Sequence, residues 1–352
     1  MKDGICSKQL CSNGDFVWKK IDIVVSWLDD SDPKWQADFN EYRKKENLSM
    51  SKNSANNASR FRDYDTFRYW FRAIEKNAPW VNKIYLVTYG HSPEWLNLEH
   101  PKLQLMKHED FIPKEFLPTF SSVTIAMNLH RIPGLSENFV YFNDDMFLIN
   151  PTKTTDFFKE GIPCDMLTLI PCATYEELDH LHINNMNLIH RKFTKQDILK
   201  KNLWKMINFK TSLPYLGTTL LQLPYPTISY IIHFHLATPL NKSMYEKLWE
   251  EYPKEFTQAS TYKFRNINGI DDWFIRLYSL CSGNFVPKNM YKFGRFFKLN
   301  VQSNVDKIVN SKLKLVCLND NEALDDDELQ VITQRVQKAM EMKFPQKSSF
   351  EK

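Results

Sequence analysis

Three apolar runs in this chain end abruptly in carboxylates and amides. Residues 21–27 open into Asp29, Asp30 and Asp32, residues 139–142 into Asn143, Asp144 and Asp145, and residues 313–318 into Asn319, Asp320 and Asn321. Each run reads as a buried strand. In an open α/β sheet the carboxyl ends of the strands line the ligand crevice, so the three loops are expected to converge. Clustered oxygens of this kind suit a hard cation, Mg²⁺ or Mn²⁺, that is also held by substrate phosphates. Taken singly, each cluster reads equally well as a solvated turn or helix cap; the repetition after three strands favours a site.

A phosphate site also needs donors. Arg60 and Arg62 stand just before a predicted helix, His130 and Arg131 just after another, and Lys263 and Arg265 farther along. Arginine can clamp phosphate through paired hydrogen bonds, although most arginines in any chain are surface charge. His233 and His235 share one side of the chain if it is extended there. Such a pair could ligate a metal, take a proton from an attacking hydroxyl near neutral pH, or be structural; His180 and His182 repeat the spacing. The chain has no G-x-x-x-x-G-K-S/T loop, no G-x-G-x-x-G after its first strand and no G-x-S-x-G elbow. That argues against a P-loop ATPase, a dinucleotide dehydrogenase and a serine hydrolase.

The elements that must position these groups come from a chain of 352 residues, 43% hydrophobic and 25% charged. That size fits one large α/β domain or two packed ones and excludes a disordered chain. Helices are expected from Pro33, over 67–74, from about Ser121 to His130, over 195–208, 242–251 and 270–280, and after the acidic run at Asp325. Helices alternating with apolar strands predict a mostly parallel sheet with flanking helices. Forty-six Lys and Arg against 42 Asp and Glu leave a charge of +4, too balanced for a nucleic-acid partner. Six dispersed cysteines without a C-x2-C pair predict a reduced compartment and no zinc site. The N-terminal residues do not read as a secretion leader. The apolar stretch 213–237 is broken by Pro214, Pro224 and Pro226, so it is expected to be a buried connection rather than a spanning helix. An interfacial hairpin at a membrane or a lipid-linked acceptor is the alternative.

Four blocks together resemble the Stealth family, the sugar-phosphate transferases of bacterial capsule synthesis that include the catalytic part of the lysosomal-enzyme GlcNAc-1-phosphotransferase. They are IDIVVSWLDDSDPKW at 21–35; residues 60–90 continuing through 117–148; HFHLATPLNKSMYEKLWEEYPKEF through TYKFRNINGIDDWF; and LKLVCLNDN to KFPQKSSFE. The resemblance covers most of the chain. It implies transfer of a hexose 1-phosphate, with GlcNAc-1-phosphate as the first candidate, from a UDP-sugar to a hydroxyl of a saccharide or lipid-linked glycan. The products would be a phosphodiester and UMP, in capsule or other cell-surface polysaccharide synthesis. It further implies a nucleotide-sugar transferase-like core over 1–192 and 300–352, with a helical acceptor-side region over 193–299. The expected location is cytoplasmic, peripheral at the inner face of the membrane.

Matched to the family's motifs, Asp29, Asp32, Asp144, Asp145, Asn319 and Asp320 fall near the donor-metal centre, with Asp29 and Asp145 catalytic and Asp144, Asp145, Asn319 and Asp320 as metal ligands. His235 falls on the family histidine and is the implied base, and Arg265 is the implied phosphate clamp. Arg60, Arg62, His130 and Arg131 are implied donor-binding residues alongside Asp32. Two positions depart from the family pattern: Asp30 stands where glycine is usual, and Ala126 where glutamate is usual. The competing expectations are a metal-dependent glycosyltransferase releasing UDP and an inactive sugar-binding scaffold.

Overall fold

A computed structural model describes residues 20–48, 56, 64–174, 176–208 and 211–352; Arg60 and Arg62 lie outside them. β1 (Ile21–Ser26) is β-branched and buried up to Ser26. Asp32 starts α1 (Pro33–Lys45) by accepting a hydrogen bond from the Trp35 N–H at 2.7 Å, and Pro33 takes a first-turn position where no N–H is needed. α2 (Phe67–Asn77) buries Phe67, Trp70, Phe71 and Ile74. Then come β2 (Ile84–Thr88), β3 (Leu103–Lys107), α3 (His108–Phe111) and α4 (Ser122–Met127). α4 is shorter than the expected Ser121–His130 helix, and a 3₁₀ turn over Leu129–Arg131 follows it. At the end of α4, Asn128 turns its side-chain amide onto the Thr124 carbonyl and the Ser260 hydroxyl.

β4 (Asn138–Asn143) and β5 (Met146–Leu148) are separated by Asp144 and Asp145 alone. Next are β6 (Phe158–Lys159), β7 (Ile162–Asp165), β8 (Leu169–Ile170), α5 (Asp179–Lys192), α6 (Lys195–Met206), α7 (Leu213–Gln222), β9 (Tyr230–Ile231) and β10 (Thr238–Asn241). The chain continues through α8 (Lys242–Glu251), α9 (Pro253–Thr261), α10 (Trp273–Ser282), β11 (Val286–Pro287), α11 (Met290–Phe293) and β12 (Gly294–Lys298). It ends with α12 (Val305–Val309), β13 (Leu315–Asn319) and α13 (Asp326–Lys343), whose first turn holds the predicted acidic run.

The main sheet has the order β10-β4-β1-β2-β3, parallel except for the antiparallel edge strand β10. Alternate residues of β1 feed different cores: Ile23 and Val25 pack with α2 and α13, and Val24 packs with Tyr85, α8 and α10. The segment 193–299 supplies α6 to α11, the edge strand β10 and also β12. A second sheet, β12-β13-β5, sets the site. β13 runs antiparallel to β5 with Cys317 opposite Met146, and the Leu318 N–H donates to the Asp145 carbonyl at 2.8 Å. Because β5 follows β4 after two residues, this pairing brings the carboxyl ends of β4 and β13 together.

The expectation of a buried connection over 213–237 holds only in part. Ile228, Ile231 and Leu236 are buried, whereas Leu213, Leu220, Leu221 and Tyr225 are exposed. Among the described residues no helix is long and apolar enough to cross a membrane.

Candidate active site

The cleft opens at the carboxyl ends of β1, β4 and β13. Its wall includes Ser26, Trp27 and Leu28 from β1 and the loop after it, Tyr141, Asn143, Asp144 and Asp145 from β4 and its turn, and Leu318, Asn319, Asp320 and Glu322 from β13 and beyond. His235, Ser122 and Arg265 line it as well. Two of the three expected acidic loops therefore meet, joined by His235 and Arg265.

Asp145 lies at the junction. Its Oδ2 accepts hydrogen bonds from the Asn319 amide at 3.0 Å and the Cys317 thiol at 3.1 Å. Residues 317 and 319 alternate along β13 with one between them, so both side chains leave the same face. The other oxygen, Oδ1, is buried and has no hydrogen-bond partner among the described residues. A buried carboxylate oxygen without a partner is costly, which indicates a cation or donor proton at that point when ligand is bound. Asp145, His235 and Cys317 each place one potential ligand atom within 4.8 Å of the others. Burial and the neighbouring Asp145 carboxylate push the Cys317 thiol well above its ordinary range, in keeping with the hydrogen bond it donates to Asp145. Asp144, Asn319 and Asp320 line the same cleft and offer further oxygens beside this cluster. Asp320 is steadied by the Tyr64 hydroxyl, which donates to its Oδ1 at 2.7 Å.

His235 occupies a strained backbone position, with φ of 45°. Its N–H donates to the Nδ1 of His233 at 2.9 Å, and the His233 ring stacks on Trp273. Burial holds the His233 pKa well below the ordinary histidine value, so its ring stays neutral and keeps that acceptor. His233 thus shapes the turn that delivers His235, whose ring also meets Phe296 edge-on at 5.3 Å. Arg265 is anchored on both sides of its backbone by Asn56, at 3.0 and 2.9 Å. Its guanidinium donates to the Ser122 hydroxyl from Nε at 3.2 Å and from a terminal nitrogen at 2.9 Å.

Four other candidates are not brought to this wall. Asp29 folds onto the next turn, its Oδ1 accepting from the N–H and hydroxyl of Ser31 at 2.9 and 2.6 Å. Asp32 caps α1. His130 is buried against Tyr245 and Trp249, and burial lowers its pKa to about 3. Arg131 lies over the Trp249 ring at 4.6 Å. Of the two departures, Asp30 does not take a positive φ, so glycine is not required there. Ala126 points into the apolar core, while Ser122 and Ile125 of the same helix face the cleft. His182 stacks on Trp273, and His180 is exposed on α5.

Sequence reasoning passed over Cys317, Tyr64, Ser122, Tyr141 and Asp272. The alternation of Cys317 with Asn319 was a readable signal; the rest depend on tertiary contacts. Tyr141 shares a hydrogen bond of 3.2 Å with the Ser26 hydroxyl. Burial, then the adjacent Asp271 carboxylate, raises the Asp272 pKa well above the ordinary range, and Arg265 opposes that shift only in part.

Residues 60–164 match Stealth protein conserved region 2. Capsular polysaccharide phosphotransferase WcwK of Streptococcus pneumoniae is 40% identical over 95% of this chain and 98% of its own. Receptor polysaccharide phosphotransferase WefC of Streptococcus oralis is 39% identical over 94% and 99%. An exopolysaccharide phosphotransferase of Lactiplantibacillus plantarum is 37% identical over 94% and 96%.

Proposed function

This chain belongs to the Stealth family of polysaccharide phosphotransferases, and from that premise we propose that it transfers a hexose 1-phosphate from a UDP-sugar to a glycan hydroxyl. The acceptor oxygen attacks the phosphorus next to the sugar. A new phosphorus–oxygen bond forms, the bond to the bridging oxygen breaks, and UMP leaves with that oxygen. The sugar's C1–O bond is untouched, so its configuration is retained.

The observation that carries this reading is the grouping of Asp145, with its partnerless buried oxygen, with His235 and Arg265 in one cleft. His235 accepts the proton of the attacking hydroxyl. Arg265, held by Ser122, offsets charge on the transferring phosphoryl group. Mg²⁺ or Mn²⁺ held by Asp144, Asp145, Asn319 and Asp320 would neutralise the donor pyrophosphate. Trp27 and Leu28 offer an apolar wall beside the polar centre, suited to the nucleoside part of the donor. Phosphorus NMR of the product formed from UDP-GlcNAc and a matched glycan tests the reading: a phosphodiester resonance supports it, and a product without phosphorus rejects it.

A further inference from the structure

α7 is built inside out. Its buried position is Thr219, whose hydroxyl accepts from the Leu169 N–H at 3.2 Å. Three of its four leucines face solvent: Leu213 is 82% exposed, Leu221 72% and Leu220 45%. Positions 213, 217, 220 and 221 fall on one helical stripe, and an added Cβ at Gly217 on that stripe would meet nothing. No residue from Thr211 to Ile232 is charged. The apolar surface continues at Tyr225, 59% exposed, and the preceding helix, α6, shows Trp204 at 83%. Lys195 joins the two helices by donating to the carbonyls of Leu223 and Tyr225.

The charge beside this face is mainly basic. Residues 191–205 carry Arg191, Lys192, Lys195, Lys200, Lys201 and Lys205 against the single carboxylate of Asp197; Arg191 and Lys192 pair with Glu255 and Glu251, Lys195 and Lys205 donate to backbone carbonyls, and Lys200 and Lys201 are exposed. We propose that the α6–α7 hairpin docks the protein on an anionic bilayer surface, with the leucines, Trp204 and Tyr225 entering the interface and the lysines meeting the headgroups. An uncharged helix face flanked by lysines is the pattern of an interfacial helix. A second copy of the chain fits less well, because docking the same face on itself would set like charges together. The surface adjoins the cleft: on the inner side of α7, Tyr215 meets Phe234 edge-on at 5.6 Å, and Phe234 precedes His235. This inference stands on the surface alone and does not depend on the reaction proposed above.

The test is co-sedimentation of the full chain with phosphatidylcholine vesicles, with and without phosphatidylglycerol. Binding is expected only with phosphatidylglycerol, and it should fall with added salt. Leu220→Asp/Leu221→Asp should reduce the partition coefficient by about tenfold or more while leaving turnover on soluble substrates unchanged. Lys200→Glu/Lys201→Glu leaves the apolar face intact and should weaken binding similarly, which keeps the test decisive if the leucine variant does not fold. Three results would overturn the proposal: wild-type protein that stays in solution with anionic vesicles, binding that persists in a folded variant, or a dimer that the leucine variant dissolves without any vesicle binding.

Discussion

The Asn319 side-chain amide donates to Asp145 Oδ2 at 3.0 Å across the seam between β13 and the β4–β5 turn, leaving Oδ1 of the same carboxylate buried and partnerless. Asp145→Asn, which keeps the shape and removes the charge, should lower kcat by about 10²-fold or more with the folded circular dichroism spectrum retained. Asn319→Ala, which removes the amide that orients Asp145, should cost about 10- to 100-fold. Activity should vanish after chelation and return with Mg²⁺; full activity in stripped protein would remove the metal from the account.

His235 and His233 should separate in their effects. His235→Ala should retain UDP-sugar binding and lower acceptor-dependent kcat by about 10² or more. If His235 is the base, the Mg²⁺ concentration for half-activation stays as in the wild type; a large rise would make it a metal ligand instead. His233→Ala should have the smaller effect on kcat and a lower Tm, since it removes the acceptor for the His235 N–H and a ring stacked on Trp273.

Backbone strain at His235 gives an independent check. With φ of 45°, a side chain there costs about 1 kcal/mol that glycine would not. His235→Gly should therefore melt at a higher temperature than His235→Ala while remaining equally inactive. Equal melting temperatures would mean that the turn is not strained.

What the sequence could say about this site follows from which interactions are local. The strands β1, β4 and β13 were legible because each is a short apolar run buried in its sheet. Convergence of Asp144 and Asp145 with Asn319 and Asp320 followed from strand-end reasoning. Asp29 and Asp32 do not line the cleft wall, and one oxygen of each is engaged by a local turn or a helix cap. Cys317 was hidden because a thiol within a buried strand reads as a small apolar residue. α7 was not read as a helix because Pro214, Pro224 and Pro226 made the apolar stretch look like a broken buried connection, and an apolar composition does not say which residues meet solvent.

Asp272 supplies a pH test. Burial and Asp271 keep it protonated to a higher pH than an ordinary carboxylate. As pH rises it ionises and places a negative charge near Arg265 and Tyr141. KM for the anionic UDP-sugar should then rise toward alkaline pH, and Asp272→Asn should flatten that rise. An unchanged profile in the variant would clear Asp272 of this role.

The C-terminal residues should contribute stability with a defined acid limb. Arg72, on α2, pairs with Glu351 at 2.8 Å, the two side chains being 7% and 4% exposed. Burial alone would raise the Glu351 pKa, but hydrogen bonds from Arg72 and Ser348 more than offset it, and the net shift is downward from 4.5. A depressed carboxylate stabilises the fold above its unfolded pKa and loses that contribution as pH falls through the folded value. Glu351→Gln should destabilise by about 3 kcal/mol at neutral pH, since it leaves Arg72 buried with a weaker partner. The difference should shrink below about pH 4. A pH-independent difference would assign the effect to packing.

The most direct measurement of the central claim follows the donor phosphates. A UDP-sugar carrying distinct labels on its two phosphates is incubated with acceptor, and the labels are traced. The account predicts that the phosphate next to the sugar enters the glycan while the other is recovered in UMP, in equal amounts. Recovery of both labels together in UDP, with an unphosphorylated sugar on the acceptor, would contradict it.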